Sequence, residues 1–380
     1  MHKTIWFKIH MILGLTAGFV LLVVGVTGAI LSFEKEITKF INKDSYEVFV
    51  PNEVKLSTKE LLEKLQEKLP EAKINSLSFS SDVNSSVIIN VAGKGEGKEA
   101  KRGKSYYINP YTAEILPEIK GKAFFSLILD LHRRLMLGEV GKQVVAISTI
   151  SLIILSLSGL YIYWGRVRRA FFRSLTFSFK HHGRAFLSTM HSSIGMWVLP
   201  FYLLASLTGL YWSYDWYNAT LYKIAGVEKP QRNMPLQMQK GSTEPNFDDY
   251  QKAVELFNVL IQKEYSDANI RFPQKGSVYS FSYLDVDSAH YRARNTLELD
   301  INSNQIIKHE RYEDKPLNEQ LMKSILPLHT GEYFGIIGQI GMFLASFFML
   351  LFTVTGVMLY FNRTRKKKKS SSLKLLLFLK

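Results

Sequence analysis

The sequence predicts an α-helical membrane protein with four spans, built from a two-fold internal duplication and carrying an α+β module outside the membrane in each half. Three observations predict this fold class: four long uncharged segments, an uneven distribution of charge between them, and motifs that recur at equal offsets in the two halves. The uncharged segments are residues 11–33, 143–165, 185–214 and 333–362. Each reaches or exceeds the roughly 20 residues that an α-helix needs to cross the hydrocarbon layer.

The predicted segments follow one another as span, module, span, loop, span, module, span and tail. The first apolar stretch is longer than the roughly 7–15 apolar residues of a signal peptide, so we expect it to be retained. The expected boundaries are 1–33 for the first transmembrane helix, 34–122 for the first module, 123–165 for a ligand segment and the second helix, 166–184 for a basic loop, 185–213 for the third helix, 214–326 for the second module, 327–362 for a ligand segment and the fourth helix, and 363–380 for a basic tail.

The charge distribution predicts the orientation. The N-terminus with Lys3 and Lys8, the loop 166–184 and the run 363–369 contain Lys and Arg but neither Asp nor Glu. The two modules are nearly neutral, with 14 acidic and 15 basic residues in the first and 16 and 14 in the second. By the positive-inside rule, both termini and the loop face the cytoplasm and both modules lie outside. The net charge of +15 therefore reflects topology and contact with anionic lipid rather than nucleic-acid binding.

Each module is expected to contain one amphipathic helix followed by antiparallel strands. Leucines recur on one face of the first helix, and strand segments show alternating apolar and polar residues. The lysine-rich stretch 93–104 is expected to be a solvated hairpin tip. The predicted helices are 58–69 and 250–265, and the predicted strand segments are 76–91, 105–116, 277–286 and 295–307.

Four of the nine histidines recur in register between the two halves. His10 and His191 are each followed by Gly at +4 and by Thr-Gly at +17 and +18. His132 and His329 are each followed by Ser-Gly or Thr-Gly at +26 and +27, then by Tyr and Arg at +31 and +34. The recurring partners are Gly14, Thr27, Gly28, Ser158, Gly159, Tyr163, Arg166, Gly195, Thr208, Gly209, Thr355, Gly356, Tyr360 and Arg363.

These histidines predict two haem sites. An imidazole in a membrane span is costly and marks a functional site by default, and haem that transfers electrons takes one imidazole on each face. His10 and His191 begin spans that run outward, whereas His132 and His329 precede spans that run inward. We therefore expect His10 to pair with His191 and His132 with His329 as axial ligands of haem iron, at two levels of the membrane.

The absence of cysteine narrows the chemistry. A chain with no Cys has no disulfide, no Cys-ligated iron–sulfur cluster and no covalently attached c-type haem, so the expected cofactor is two molecules of haem b. No Gly-x-Gly-x-x-Gly follows a predicted strand, so a nicotinamide or flavin domain is not expected. Electrons must then come from a separate cytoplasmic or quinol donor.

The segment after His132 is expected to contain a helix break. A straight helix from His132 to Gly159 would span roughly 40 Å, which exceeds the hydrocarbon thickness. We expect the break at GEVG, residues 138–141, and an equivalent break at Gly331 and Gly335 after His329.

The chain resembles the PepSY-associated transmembrane family, which includes inner-membrane ferric-siderophore reductases. The resemblance lies in KIHMILGLTAGFVLLVVGVTGAILSFEKEI near the N-terminus, LHRRLMLGE at 131–139, TMHSSIG at 189–195, LHTGEYFG at 328–335 and the two PepSY-like modules. It implies a haem-containing oxidoreductase of the bacterial inner membrane, with periplasmic modules, that passes electrons to an external acceptor such as an Fe(III)-siderophore. The identity of the acceptor cannot be inferred from the shared fold alone.

Several assignments remain open from the sequence. Arg133, Arg134 and Tyr333 are candidates to contact the acceptor, although the two arginines equally suit haem propionates or lipid headgroups. The aromatic cluster at 211–217 fits an interfacial belt better than a substrate platform. His2, His181, His182, His290 and His309 are expected to be solvated. The alternative functions are a peptide- or protein-binding membrane protein without redox activity and a histidine-lined metal permease.

Overall fold

The computed structural model describes residues 2–50, 54–93, 103–229, 246–273 and 276–378, with side chains up to residue 365. The α-helices are α1 His2–Thr16, α2 Gly18–Leu31, α3 Glu34–Ile41, α4 Lys43–Tyr46, α5 Thr58–Lys68, α6 Lys122–Arg134, α7 Gly138–Arg169, α8 Phe171–Ser174, α9 Gly183–Ser213, α10 Asp215–Ala225, α11 Phe247–Leu260, α12 Leu317–Lys323, α13 Ile325–Thr330 and α14 Gly335–Phe378. The strands are β1 Ile74–Ser80, β2 Val87–Val91, β3 Lys104–Ile108, β4 Tyr265–Arg271, β5 Val278–Asp285, β6 Asn295–Asp300 and β7 Gln305–Glu310.

The chain divides into two compact units. The helical unit comprises Met1–Glu34, Ala123–Leu221 and Ile325–Lys380, and the sheet unit comprises Lys35–Lys122 and Tyr222–Ser324. Each unit is thus assembled from segments that are far apart in the sequence.

The helical unit contains the apolar spans. Within the described residues, α7, α9 and the helical stretch Glu332–Arg365 are long and apolar enough to cross a membrane, and α1 with α2 makes a fourth span if this bent pair is counted as one. The structure therefore has three or four spans, and the expected count of four requires the first to bend by 62° between Thr16 and Gly18. Thr16 Oγ1 donates to the carbonyl of Ile12 at 2.9 Å, and Gly18 follows two residues later; hydroxyl back-bonding and a nearby glycine both favour a bend.

The spans pack through small and aromatic side chains. Helix α2 packs on α14, α9 packs on α7 and α14, and α1 packs on α7. The buried centre of the unit consists of Ala17, Leu21, Val198, Tyr202, Ala345 and Met349. A Cβ on Gly25 would lie 2.5 Å from Cβ of Met349, so only glycine permits this approach of α2 to α14.

Both expected helix breaks exist, but one lies earlier than the sequence indicated. Helix α6 ends at Arg134, and Leu135 and Met136 adopt positive φ angles of 51° and 58° before α7 begins at Gly138. Gly138 of the segment GEVG shares the left-handed conformation, with a φ of 57°, so the break begins at Leu135 and reaches only the first residue of the expected segment, and residues 139–141 continue α7. After α13, Gly331 has a φ of 85° and Gly335 a φ of 64°, which are left-handed conformations that glycine adopts without strain.

The sheet unit contains one antiparallel sheet rather than two separate modules. Its strand order is β3-β2-β1-β4-β5-β6-β7, so strands of both long stretches join at the β1–β4 pair. Ser78 lies opposite Asn269 in this pair. Helices α5 and α11 pack together over the sheet and bury Leu62 and Phe257. The alternating burial of β5 and β6 gives the sheet one covered face.

Two further expectations about this unit change. The helix predicted over 250–265 ends at Leu260, because Tyr265 already begins β4, a strand that the sequence pattern did not indicate. Capping boxes at Ser57 and Asn246 fix the starts of α5 and α11, as expected where a short polar side chain precedes an acidic residue by three positions. Most of the hairpin tip predicted at 93–104 lies outside the described residues.

Candidate functional site

The helical unit brings the four recurring histidines together in two pairs. The ring centroids of His10 and His191 lie 6.4 Å apart with an interplanar angle of 73°. The centroids of His132 and His329 also lie 6.4 Å apart, at an angle of 71°. We call the pair His10 and His191 the first site and the pair His132 and His329 the second site.

Each histidine contacts a hydroxyl group through Nδ1. At the first site, Nδ1 of His10 lies 2.9 Å from Ser158 Oγ, and Nδ1 of His191 lies 2.7 Å from Thr355 Oγ1. At the second site, His132 and His329 make the equivalent contacts, at 3.1 Å with Thr27 Oγ1 and 2.9 Å with Thr208 Oγ1. These hydroxyls belong to the Ser-Gly and Thr-Gly pairs that recur in the sequence.

The hydroxyl contacts determine which ring nitrogen carries the proton. Thr27, Thr208 and Thr355 each donate their hydroxyl hydrogen to a carbonyl one turn earlier, at 2.6–2.7 Å, and Ser158 does so at 3.2 Å. A hydroxyl has one hydrogen to donate, so its oxygen accepts from Nδ1–H of the imidazole. Backbone acceptors add to the hydroxyls: Nδ1 of His132 lies 3.0 Å from the carbonyl of Val24, and His10 and His329 also hydrogen-bond to the backbone of Leu155 and Ala205. The unprotonated nitrogen of each ring is therefore Nε2, which is free to bind a metal.

The ring separation fits two ligands on opposite sides of one metal ion. Imidazole–metal bonds of about 2 Å on both sides place the two ring centroids roughly 6 Å apart. Among the described residues, no group of three or more His, Asp or Glu side chains could hold a metal ion. Two protein ligands suit a metal whose other ligands come from a planar macrocycle, whereas a bare ion takes four or more ligands.

A cavity of about 290 Å³ opens beside the first site. Both histidines of that site line it, together with Tyr163, Arg184 and Arg363, and the Arg363 guanidinium carbon also lies 4.4 Å from the centroid of the Phe7 ring. The volume is near the lower limit of small-molecule pockets. An apolar cavity with two guanidinium groups suits a flat hydrophobic ligand that carries carboxylates.

The family model of the PepSY-associated TM region matches residues 7–363. The chain belongs to this family. The match covers both histidine sites and the sheet unit. Among curated proteins, none matches the chain.

The second site of this PepSY-associated chain has a different environment. The ring of Trp212 lies edge-on to His329, with centroids 5.4 Å apart. Of the residues predicted near an acceptor, Arg133 is exposed, Arg134 pairs with Asp130 at 3.3 Å, and Tyr333 packs against Phe334 with ring centroids 5.2 Å apart. Arg133 and Arg134 follow His132 directly at the end of α6, and Tyr333 lies in the 3-10 turn Glu332–Phe334 that follows α13.

The remaining histidines are not part of either pair. His181 and His182 are exposed, as expected. The expectation for His290 is wrong: the side chain is 6% exposed in the sheet unit, where Nε2 lies 2.9 Å from Ser324 Oγ. This histidine follows β5 in a segment without regular patterning, so its burial could not be predicted from the pattern of apolar residues.

Arg184 is the residue of the first site that the sequence did not single out. It lies in the segment HHGR, which looks like loop sequence, but α9 begins at Gly183. Arg184 is thus seven residues before His191 on one helix. Seven residues are about two turns, which places both side chains on one face of the helix, and this spacing was available in the sequence.

Proposed function

We propose that the protein is a membrane oxidoreductase that holds two haem b molecules and passes electrons between the two sides of the membrane. The observation that supports this proposal best is the repeated geometry of the two sites: two imidazoles with centroids 6.4 Å apart, each with Nδ1 engaged and Nε2 free. His10 and His191 are the proposed axial ligands of one haem iron, and His132 and His329 those of the other.

The protein's own residues would bind and orient the two haems. A bound haem supplies a one-electron Fe(III)/Fe(II) couple. Two histidines per iron leave no coordination position for an exchangeable ligand, which suits electron transfer rather than oxygen chemistry. At the first site, Arg184 and Arg363 would pair with the propionates, because both line the same cavity as His10 and His191.

The proposed direction of transfer follows from topology. The basic loop and the ends of the chain favour a cytoplasmic location, which places the first site near the inner surface of a bacterial inner membrane. Because β1 and β4 belong to one sheet, the stretches around them must lie on the same side of the membrane. That requirement agrees with both lying in the periplasm. The second site would then face the external acceptor, and the first site would receive electrons from a cytoplasmic or quinol donor.

The proposed acceptor is Fe(III) held by a siderophore, and it rests on the family resemblance. Reduction would release the iron, because hard oxygen ligands hold Fe(II) less tightly than Fe(III). Arg133, Arg134 and Tyr333 are the proposed contacts for the chelate, since the two arginines and the turn that carries Tyr333 each follow a histidine of the second site in sequence.

An anaerobic reoxidation experiment tests this function. The purified full-length protein is reduced with dithionite, the excess is removed, and ferric siderophores are added singly while haem absorbance and a ferrous-iron chelator are followed together. We expect haem reoxidation and one trapped Fe(II) for each electron lost. The gallium(III) complex of the same siderophore is the control, because it has the same charge and cannot be reduced. Failure of every ferric chelate, with reoxidation by another oxidant, would eliminate iron release and leave electron transfer.

A further inference from the structure

We infer that the four Ser-Gly and Thr-Gly pairs position the histidines. Each pair serves the site opposite to the one whose ligand lies on its own span or directly before it. This inference rests on the proposed haem binding. The sequence shows these pairs only as motifs at fixed offsets from the histidine that precedes them. The contacts instead connect each pair with a histidine on another helix.

The crossing follows the same rule in both halves of the chain. The first span carries His10 for the first site, while its Thr27 contacts His132 of the second site. Helix α7, which follows His132, carries Ser158, and this residue contacts His10. The second half repeats this arrangement. Helix α9 carries His191 of the first site, and its Thr208 contacts His329 of the second site. Helix α14 carries Thr355, which contacts His191.

The hydroxyl of each pair fixes the tautomer and the tilt of the ring. Because it donates to its own helix, it is held as an acceptor pointing at Nδ1. A hydrogen bond at the rear nitrogen of a metal-binding histidine orients the ring and raises its basicity, and loss of such partners costs roughly 10- to 100-fold in metal affinity. The four hydroxyls therefore stabilise the oxidised iron and hold both ligands of each site in line.

The glycine of each pair makes room for the ring. A Cβ on Gly28 would lie 3.2 Å from Cε1 of His132, and a Cβ on Gly159 would lie 3.2 Å from Cε1 of His10. Gly209 gives 3.4 Å to Cε1 of His329. Gly356 is the exception, since a Cβ there meets nothing within 4 Å. Three of the four imidazoles thus lie against a bare stretch of helix backbone.

The consequence is that the first span and α9 each contribute to both sites, whereas α7 and α14 contribute hydroxyls to the first site and follow the ligands of the second. The hydroxyl contacts remain within one half of the chain, whereas the ligand pairs join the two halves. Damage to the outer end of the first span should therefore disturb the second site, although the only ligand on that span belongs to the first.

Single-site backgrounds test the crossing. In His10→Ala only the haem of the second site is expected to remain, and in His132→Ala only the haem of the first. Thr27→Val is added to each background, and we measure the midpoint potential, the low-spin electron paramagnetic resonance signal and the rate of haem loss to apomyoglobin. We expect Thr27→Val to raise the potential and to speed haem loss roughly 10- to 100-fold in the His10→Ala background. The same change should leave the His132→Ala background unaltered.

Matched variants separate a positioning role from general damage. Thr27→Ser keeps the hydroxyl and should restore the parental values. Thr4→Val changes an exposed threonine of the same span, and it should change neither site. Ser158→Ala should affect the first site only, with Ser158→Thr as its rescue and Thr149→Val on α7 as its control.

Two kinds of failure are distinguishable. If Thr27→Val alters the first site, both sites equally or neither, the crossed arrangement is wrong while haem binding stands. If the unaltered protein holds no haem, the proposed function itself fails, and the absorbance spectrum shows this before any variant is made.

Discussion

The first and second sites have the same ring separation but reach it through different local structures. His10 and His191 lie inside α1 and α9, away from the helix ends, whereas His132 and His329 lie near the ends of α6 and α13, just before left-handed turns. Despite this difference both separations are 6.4 Å. Equal separations in unlike local structures agree with the proposal that both pairs bind the same kind of group.

The sites also differ in what surrounds the rings. The first site adjoins a cavity lined by two arginines and faces Phe352, whose centroid lies 5.0 Å from that of His191. At the second site, the ring of His329 contacts that of Trp212. Equal ligand geometry with unequal surroundings suits two haems of different potential.

Loss of a ligand should have the largest effect, and it should be confined to one site. His10→Ala or His191→Ala is expected to remove the first haem and to leave the second, so that haem content falls from two per chain to one. His132→Ala and His329→Ala should remove the other. The pyridine haemochrome assay measures the content, with His181→Ala as a control at an exposed histidine. Full haem content in both His10→Ala and His191→Ala would contradict the assignment of these two histidines as ligands of the first haem.

The arginines should affect the first site alone. Arg184→Gln or Arg363→Gln removes a charged hydrogen-bond donor from the cavity, and such a bond contributes about 1.5–3 kcal/mol. We expect haem of the first site to be lost to apomyoglobin roughly tenfold faster or more, with the second site unchanged. Equal loss from both sites would show that the cavity is not specific to the first.

The two histidine pairs were predictable from the sequence, but much of their surroundings was not. Equal offsets and the alternation of spans suffice to sort the four histidines into the two pairs that the structure shows. The hydroxyl partners depend on which helices pack together, because Thr27 meets a ring 105 residues away. The single sheet could not be predicted either, because the pairing of β1 with β4 joins distant segments, and no local sequence pattern determines their register. The bend at Ala17 lies between Thr16 and Gly18, a combination that long apolar helices also tolerate without bending.

A smaller effect on haem retention should distinguish Gly159 from Gly356. Gly159→Ala introduces a Cβ 3.2 Å from His10 Cε1, whereas Gly356→Ala meets nothing within 4 Å. Overpacking by one methyl group costs about 1 kcal/mol at the lower end of its range, which is roughly a fivefold change in haem retention. Gly159→Ala should therefore weaken the first site while Gly356→Ala does not, although both glycines serve that site. Haem transfer to apomyoglobin provides the comparison, and equal effects of the two variants would contradict the contact.

The sheet unit provides the smallest expected effect and a reference for both sites. Lys308 and Lys315 lower the pKa of Glu310 to about 2, and the Glu310–Lys315 ion pair measures 2.9 Å. The ionised Glu310 side chain therefore stabilises the folded sheet unit at pH values above its ordinary pKa of 4.5, and this contribution is lost as the pH falls toward 2. Because the carboxylate is 36% exposed, Glu310→Gln should cost less than about 1 kcal/mol at neutral pH. Thermal unfolding from pH 7 to pH 3 measures this loss, and a change in either haem spectrum would show that the sites depend on it.

The most direct test is the haem content and spin state of the unaltered protein. The full-length chain is expressed in a host that supplies haem, purified in detergent, and examined by pyridine haemochrome assay and by absorbance and electron paramagnetic resonance in both redox states. Two non-covalently bound haem b molecules per chain, both low-spin with bis-imidazole signals, are expected. A colourless protein that takes up no added haem, or one that holds a single or high-spin haem, would contradict the account.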